Sequence, residues 1–201
     1  MNIITHFPFK EFRKHQKEVL EHMGNALETK NVILLNAPVG SGKSPLAVTI
    51  ARAFRDAYII TTQKSLQDQY AKDFKDIFIM KGKSNYPCSL DPSNGCDRGL
   101  CRTDKKLPCF IQKKSECPYY VELKKAMSAE IVLHNFSSFL YQAKYLPKYT
   151  QKRKVVIIDE AHNIEKILMN FVSFKISARA IEYIIPKKET IEEYIQVLRN
   201  I

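Results

Sequence analysis

Apolar and polar positions along this chain alternate between a helical and a strand period. Phe12, Gln16, Val19, Leu20 and Met23 fall at helical spacing and predict a helix over Phe9 to Leu27, with Glu28-Thr29-Lys30 leading out. Val32-Ile33-Leu34-Leu35 is a continuous apolar run of strand length. A small-residue loop follows from Ala37 to Ser44, then a helix from Pro45 to Phe54, whose proline is tolerated in the first turn because its missing N–H is not needed there. Tyr58-Ile59-Ile60 predicts a second strand, and Leu66 to Phe74 predicts the helix after it. This β-α-β-α alternation implies an α/β fold with a mostly parallel sheet.

The pattern breaks between Lys81 and Pro118, where periodicity is lost and Cys, Pro, Gly, Asn and Asp accumulate. Both flanks are α/β, so this stretch reads as an insertion. Tyr119 to Met127 returns to helix, Ile131-Val132-Leu133 is a short strand, and Lys144 to Lys154 is a basic loop containing Pro147. Val155-Val156-Ile157-Ile158 is a strong strand ending at Asp159, and the tail from Ile164 to Ile201 is mostly helical with a break at Pro186. No internal repeat is visible.

A length of 201 residues allows one good core with a small insertion, and excludes two full α/β domains. Thirty-two Lys and Arg against 21 Asp and Glu leave a formal charge of +11, which favours a polyanionic partner such as nucleic acid. There is no secretory apolar region and no run near the roughly 18 residues that span a bilayer. The expectation is a cytoplasmic or nuclear protein without a membrane partner, in a reducing setting that disfavours disulfides.

Three groups of residues carry chemistry. Ala37-Pro38-Val39-Gly40-Ser41-Gly42-Lys43-Ser44 lies between a predicted strand and a predicted helix, the context that makes a phosphate-binding loop. Gly40 and Gly42 let the backbone N–H groups around Ser41 face one anion, helped by the helix N-terminus. Lys43 is placed to reach the β and γ phosphates, and the Ser44 hydroxyl to coordinate Mg²⁺. Asp159-Glu160-Ala161-His162 sits at the carboxyl end of a strand, where open α/β sheets bind ligands. Asp159 is expected to hold Mg²⁺ and Glu160 to orient and deprotonate an attacking water. His162 either couples hydrolysis to movement or caps the following helix.

The third group is the cysteines. All five, Cys88, Cys96, Cys101, Cys109 and Cys117, lie within the insertion. In a reducing compartment this clustering points to metal, and four thiolates suit either Zn²⁺ or an iron–sulfur cluster. The spacings lack the CxxC of a zinc ribbon, which favours a cluster. In the basic loop, Lys144, Lys148, Lys152, Arg153 and Lys154 interleave with Tyr141, Tyr145 and Tyr149, a mixture that suits a single nucleic-acid strand or merely makes a solvated loop.

Taken in order, these motifs resemble the XPD-like and DinG-like iron–sulfur helicases of superfamily 2, over nearly the whole chain. Arg13 and Gln16 match that family's adenine-reading segment. Thr61-Thr62-Gln63-Lys64-Ser65-Leu66-Gln67-Asp68-Gln69 resembles the motif that contacts the DNA backbone, so Thr61, Thr62, Gln63 and Gln69 join Asn135, Lys152 and Arg153 as candidate nucleic-acid contacts. Lys81 to Cys88 resembles the entry to the cluster domain and Cys117 to Tyr120 its exit, while Asp-Glu-Ala-His is the family's DEAH box. The loop departs from the general pattern at Ala37, where a Gly is usual.

The resemblance implies a RecA-like P-loop domain with a Cys-rich [4Fe–4S] insertion and a C-terminal helical segment. The expected divisions are 1–80 and 121–175 for the RecA-like domain, 81–120 for the insertion, and 176–201 for the start of an arch-like segment. It implies an ATP-dependent DNA helicase that uses ATP and Mg²⁺, moves 5′-to-3′ on single-stranded or forked DNA, and is incomplete without a second RecA-like domain. Of the five cysteines, Cys88 and Cys117 match the family best, and two of Cys96, Cys101 and Cys109 would complete the ligands. Two other readings stand beside it: a non-catalytic nucleic-acid-binding or regulatory module that kept its nucleotide site, and a zinc-containing P-loop ATPase unrelated to helicases.

Overall fold

The structure is a computed structural model that describes residues 1–102, 104, 106–107, 116–173 and 189–199. Cys109 and the expected break at Pro186 lie outside the described residues. The chain divides into two units, Met1–Ile164 and Glu165–Ile201.

The first unit is built on four parallel strands. β1 (Ala57–Thr61), β2 (Phe78–Met80), β3 (Ile131–Asn135) and β4 (Val155–Ile158) lie in the order β2-β3-β1-β4. Ala57 pairs with Ile131 on one side and Val155 on the other, and Thr61 ends level with Asn135. Every residue of β1 is buried, because both faces of the sheet are covered. On one face Ala57 and Ile59 pack with Val48, Ala51, Tyr70, Phe74 and Leu133. These bring in α2 (Lys43–Phe54) and α3 (Lys64–Asp73). On the other face the Tyr58 ring meets His134 and Phe139 at 5.4 and 5.2 Å. Burial on both faces explains the unbroken apolar run in the sequence.

A second cluster, Ile3, Leu20, Leu46 and Ile50, joins α1 (Gln16–Ala26) to α2. The helix expected from Phe9 begins only at Gln16. Phe12 is spent on stacking against Phe7, centroids 4.2 Å apart, and His15 sits at φ 66°, a left-handed conformation that interrupts a helix.

Val32–Leu35 is the other departure. Among the described residues it joins no ladder, and Val32 and Leu34 are 85% and 87% exposed while Ile33 and Leu35 are partly covered. The apolar run satisfies only one face here, because among the described residues nothing packs on the other. Two elements had no clear signal: the three-residue β2, and the helix Phe136–Tyr145, which opens with the Asn135 side chain accepting from Ser137 N at 3.2 Å. The expected basic loop begins inside that helix and contains a short turn of 3₁₀ helix at Pro147–Tyr149.

In the second unit, the helix Ile191–Arg199 opens with a capping box. Thr190 Oγ1 accepts from Glu193 N at 3.3 Å, and Glu193 Oε2 accepts from Thr190 N at 3.4 Å. Among the described residues no helix is long and apolar enough to cross a membrane.

Candidate active site

Because the strands are parallel, their carboxyl ends emerge on one edge, and Thr61, Asn135 and Asp159 emerge with them. Asp159 N donates to Ile60 O at 2.8 Å, which fixes the residue at the strand end. The loop before α2 carries the two positive-φ glycines, Gly40 at 81° and Gly42 at 83°. Both are conformations that cost other residues about 1–2 kcal/mol. A Cβ on Gly42 would also run into the Gln16 amide.

That amide braces the loop. Gln16 Nε2 donates to Gly42 O at 3.1 Å and to Ser41 O at 3.3 Å, while its Oε1 accepts from Arg13 N at 2.8 Å. Arg13 Nη1 donates to Gly40 O at 3.0 Å. The two residues expected to read a base are thus engaged with the loop's backbone, and Gln16 is only 3% exposed. Ser41 Oγ donates to Pro38 O at 2.8 Å and closes the turn. The Lys43 ammonium lies back over the loop, donating to Ala37 O and Pro38 O at 3.1 and 3.2 Å. These are carbonyls it can exchange for phosphate oxygens.

Ser44 and Asp159 meet through a residue the sequence reading passed over. Tyr70 on α3 donates from its hydroxyl to Asp159 Oδ2 at 3.1 Å, and the Ser44 hydroxyl lies near enough to act on the phenol electrostatically. Burial, with the Asp159 carboxylate beside it, pushes the phenol well above its usual pKa, so it stays protonated. Its signal in the sequence was a tyrosine on the apolar stripe of a helix, an aromatic body with a polar tip that needs a partner when buried.

Asp159 Oδ1 accepts from Glu160 N at 3.0 Å. Glu160 itself sits at φ 57°, ψ 46°, a left-handed conformation unusual for a side-chain-bearing residue and typical of strained functional positions. Its Oε2 lies 3.2 Å from His162 Nδ1, and His162 Nε2 lies 3.0 Å from Asn163 Nδ2.

The candidate nucleic-acid residues divide. Thr61 is buried, its hydroxyl 3.4 Å from Gln63 O. Among the described residues the buried Thr62 Oγ1 has no hydrogen-bond partner, and Gln63 and Gln69 are exposed. Asn135 Nδ2 donates to Thr62 O at 3.5 Å. These lie at or follow the carboxyl edge. Lys152 and Arg153 precede β4 and so belong to the opposite edge. Lys152 is exposed, but the Arg153 side chain is only 4% exposed. Its guanidinium donates to the carbonyls of Ala126, Ala129 and Glu130, pairs with Asp56 at 3.3 Å, and lies 5.0 Å from the Tyr58 ring centroid. Arg153 is corrected from a nucleic-acid contact to a buried tie across the strand starts. Its charge, after burial itself, also helps hold the neighbouring His134 neutral, with a pKa lowered to about 3.

Cys88, Cys96, Cys101 and Cys117 line one small cavity, and all four are free thiols. Cys96 Sγ and Cys117 Sγ are 3.7 Å apart. An isolated pairing of Pro87 with Gly95 and the bond from Cys96 N to Tyr86 O at 2.7 Å shape the turn between the first two. Gly99 comes so close to Cys88 that a Cβ there would lie 3.0 Å from its sulfur. Burial, then the nearby Cys117 and Cys88, push the Cys96 thiol up to about 11. Among the described residues no three metal-binding side chains are gathered as for a single ion.

This arrangement of sheet, loop and strand-end carboxylates can be compared with known proteins. Residues 9–196 match the family described as ResIII, Type III restriction enzyme, res subunit. The chain belongs to that family. Its ResIII match is accompanied by similarity to a probable ATP-dependent helicase of Methanocaldococcus jannaschii, 27% identical over 82% of this chain and 30% of the relative. The XPD helicase subunit of the general transcription and DNA repair factor IIH of Saccharomyces cerevisiae is 23% identical over 48% of this chain and 13% of that protein. A solved structure named truncated XPD superposes with a TM-score of 0.52 at 16% identity, covering 92% of this chain and 63% of the other. The ResIII chain therefore shares the RecA-like α/β fold of XPD, and is consistent with the N-terminal portion of an XPD-like helicase. It spans less than a third of the length of either sequence relative.

Proposed function

We propose that this chain is the first motor domain of an ATP-dependent DNA helicase, binding and hydrolysing ATP to move along single-stranded DNA. One observation carries the reading: the Tyr70 hydroxyl that binds Asp159 of the strand end also feels Ser44 of the phosphate loop, with Lys43 just before Ser44 and Glu160 just after Asp159 in sequence. That is the arrangement phosphoryl transfer needs, since catalysis there is mostly positioning and charge stabilisation. Bound Mg²⁺ would neutralise charge on the β and γ phosphates. Lys43 would exchange its loop carbonyls for phosphate oxygens, Ser44 and Asp159 would hold the metal, and Glu160 would take the proton of the attacking water. Gln16 and Arg13 would keep the loop open and, on releasing it, could read adenine.

The +11 charge and the exposed Gln63 and Gln69 near the same edge support a nucleic-acid track there, with Thr62 and Asn135 alongside. Resemblance to the XPD-like group extends this to 5′-to-3′ movement. It also extends to a second RecA-like domain that completes the ATP site. Alone, the chain is expected to bind nucleotide, hydrolyse it slowly and unwind nothing.

The cysteine cavity is assigned to a [4Fe–4S] cluster held by Cys88, Cys96, Cys101 and Cys117. What supports this reading is the chemistry of the donor set: four cysteines free of disulfides line one cavity in one small turn-rich region. The cluster would supply cross-linking of the insertion, much as a structural zinc does.

The test of the motor reading is Glu160→Gln. ATP binding is expected to persist while turnover falls by about 10² or more, the usual contribution of a general base. Normal turnover in this variant would remove Glu160 from the mechanism.

A further inference from the structure

We propose that Tyr70 is a positioning residue for Mg²⁺, its hydroxyl holding Asp159 and Ser44 in the geometry in which both can serve the metal. The inference rests on the reading of those two residues as the magnesium groups, and adds to it a residue outside both motifs.

Tyr70 lies 26 residues beyond Ser44 and 89 before Asp159, on the helix that follows β1. Its ring belongs to the core, 5.6 Å from the Phe74 ring. This anchoring fixes where the oxygen sits. A phenol can donate once and accept as well. Here it donates to Asp159 Oδ2 at 3.1 Å, with the Ser44 hydroxyl near enough to act on it electrostatically. The other carboxylate oxygen, Oδ1, accepts from Glu160 N at 3.0 Å. Asp159 is thus gripped on both oxygens, one by its own chain and one by α3, and each oxygen keeps a lone pair for a metal or its water shell. Groups that orient a ligand from behind in this way typically contribute about tenfold or more to metal affinity. Without the hydroxyl, the carboxylate is free to turn about its side-chain torsions and Ser44 loses a fixed neighbour. The loop backbone and Lys43, which would contact nucleotide, make their observed side-chain bonds with Arg13, Gln16, Ala37 and Pro38.

The experiment is a Mg²⁺ titration of the 201-residue chain at saturating fluorescent ATP analogue, with a parallel measurement of analogue binding in EDTA. Tyr70→Phe keeps the ring and removes one oxygen. It is expected to raise the Mg²⁺ half-saturation about tenfold while leaving metal-free binding within about twofold. Phe74→Leu disturbs the same packing without touching the hydroxyl and is expected to leave the half-saturation unchanged. An unchanged half-saturation in Tyr70→Phe, an equal loss with and without metal, or the same shift in Phe74→Leu would overturn the proposal. So would loss of helical circular dichroism in Tyr70→Phe, which would make the hydroxyl a folding requirement. If the wild type shows no Mg²⁺-dependent binding that Lys43→Ala abolishes, the motor reading itself fails. If it does and Tyr70→Phe is silent, only the role of Tyr70 fails.

Discussion

Arg153 shows how far a residue's type can mislead about its place. In sequence it is one of five cations in a basic stretch, and charge alone sends it to solvent. In the structure its guanidinium gathers three carbonyls and the Asp56 carboxylate at the start of the sheet. Arginine's planar fork makes such multiple pairing possible. Arg153→Ala removes the buried guanidinium that ties these carbonyls to the part-exposed Asp56, which keeps the Lys154 N–H as a donor, so chemical denaturation should show a loss of about 1–3 kcal/mol. Lys152→Ala, one residue earlier and exposed, should stay within about 0.5 kcal/mol. Lys43 and Asp159 were legible because their motifs fix them by spacing to a loop and a strand end. Tyr70 and Arg153 were not, because their partners lie 89 and 97 residues away and no local pattern encodes such pairings.

At the scale of elements, the sequence marked β1 and β4 well, although only β1 is buried throughout and β4 leaves Val156 exposed. A strand buried on both faces is a continuous apolar run, and that needs no alternation to be seen. Val32–Leu35 carries the same signature but forms no ladder among the described residues, since periodicity reports side-chain character and not the presence of a pairing neighbour. The phosphate loop itself offers a sharp contrast between its two positive-φ glycines. Gly40→Ala meets open space and suffers only backbone strain, whereas Gly42→Ala also collides with Gln16. Nucleotide affinity measured by titration should therefore fall clearly further for Gly42→Ala. Equal losses would mean that Gln16 does not brace the loop. In the Cys-rich insertion, the sequence placed the cysteines together without choosing among them, because wide spacings leave several sets of four open. Among the described residues Cys88, Cys96, Cys101 and Cys117 line the shared cavity, and Cys109 lies outside those residues. On this assignment Cys109→Ser, purified without oxygen, should keep about four irons with matching sulfide per chain, and Cys96→Ser should lose them. One zinc and no sulfide in the wild type would replace the cluster with a zinc module and weaken the tie to iron–sulfur helicases.

For the molecule as a whole, a parallel sheet covered on both faces brings distant motifs to one edge, and this is what turns separate sequence signals into one site. Fold class was readable from the β-α-β alternation. The strand order β2-β3-β1-β4 was not, since it depends on which strands neighbour one another across an insertion of more than thirty residues. The central claim is that this edge binds ATP through Lys43. The most direct measurement is equilibrium titration of a fluorescent ATP analogue with Mg²⁺ into the wild-type chain and Lys43→Ala. Saturable binding by the wild type and its loss in the variant is the predicted result. No binding by either, or equal binding by both, would contradict the account.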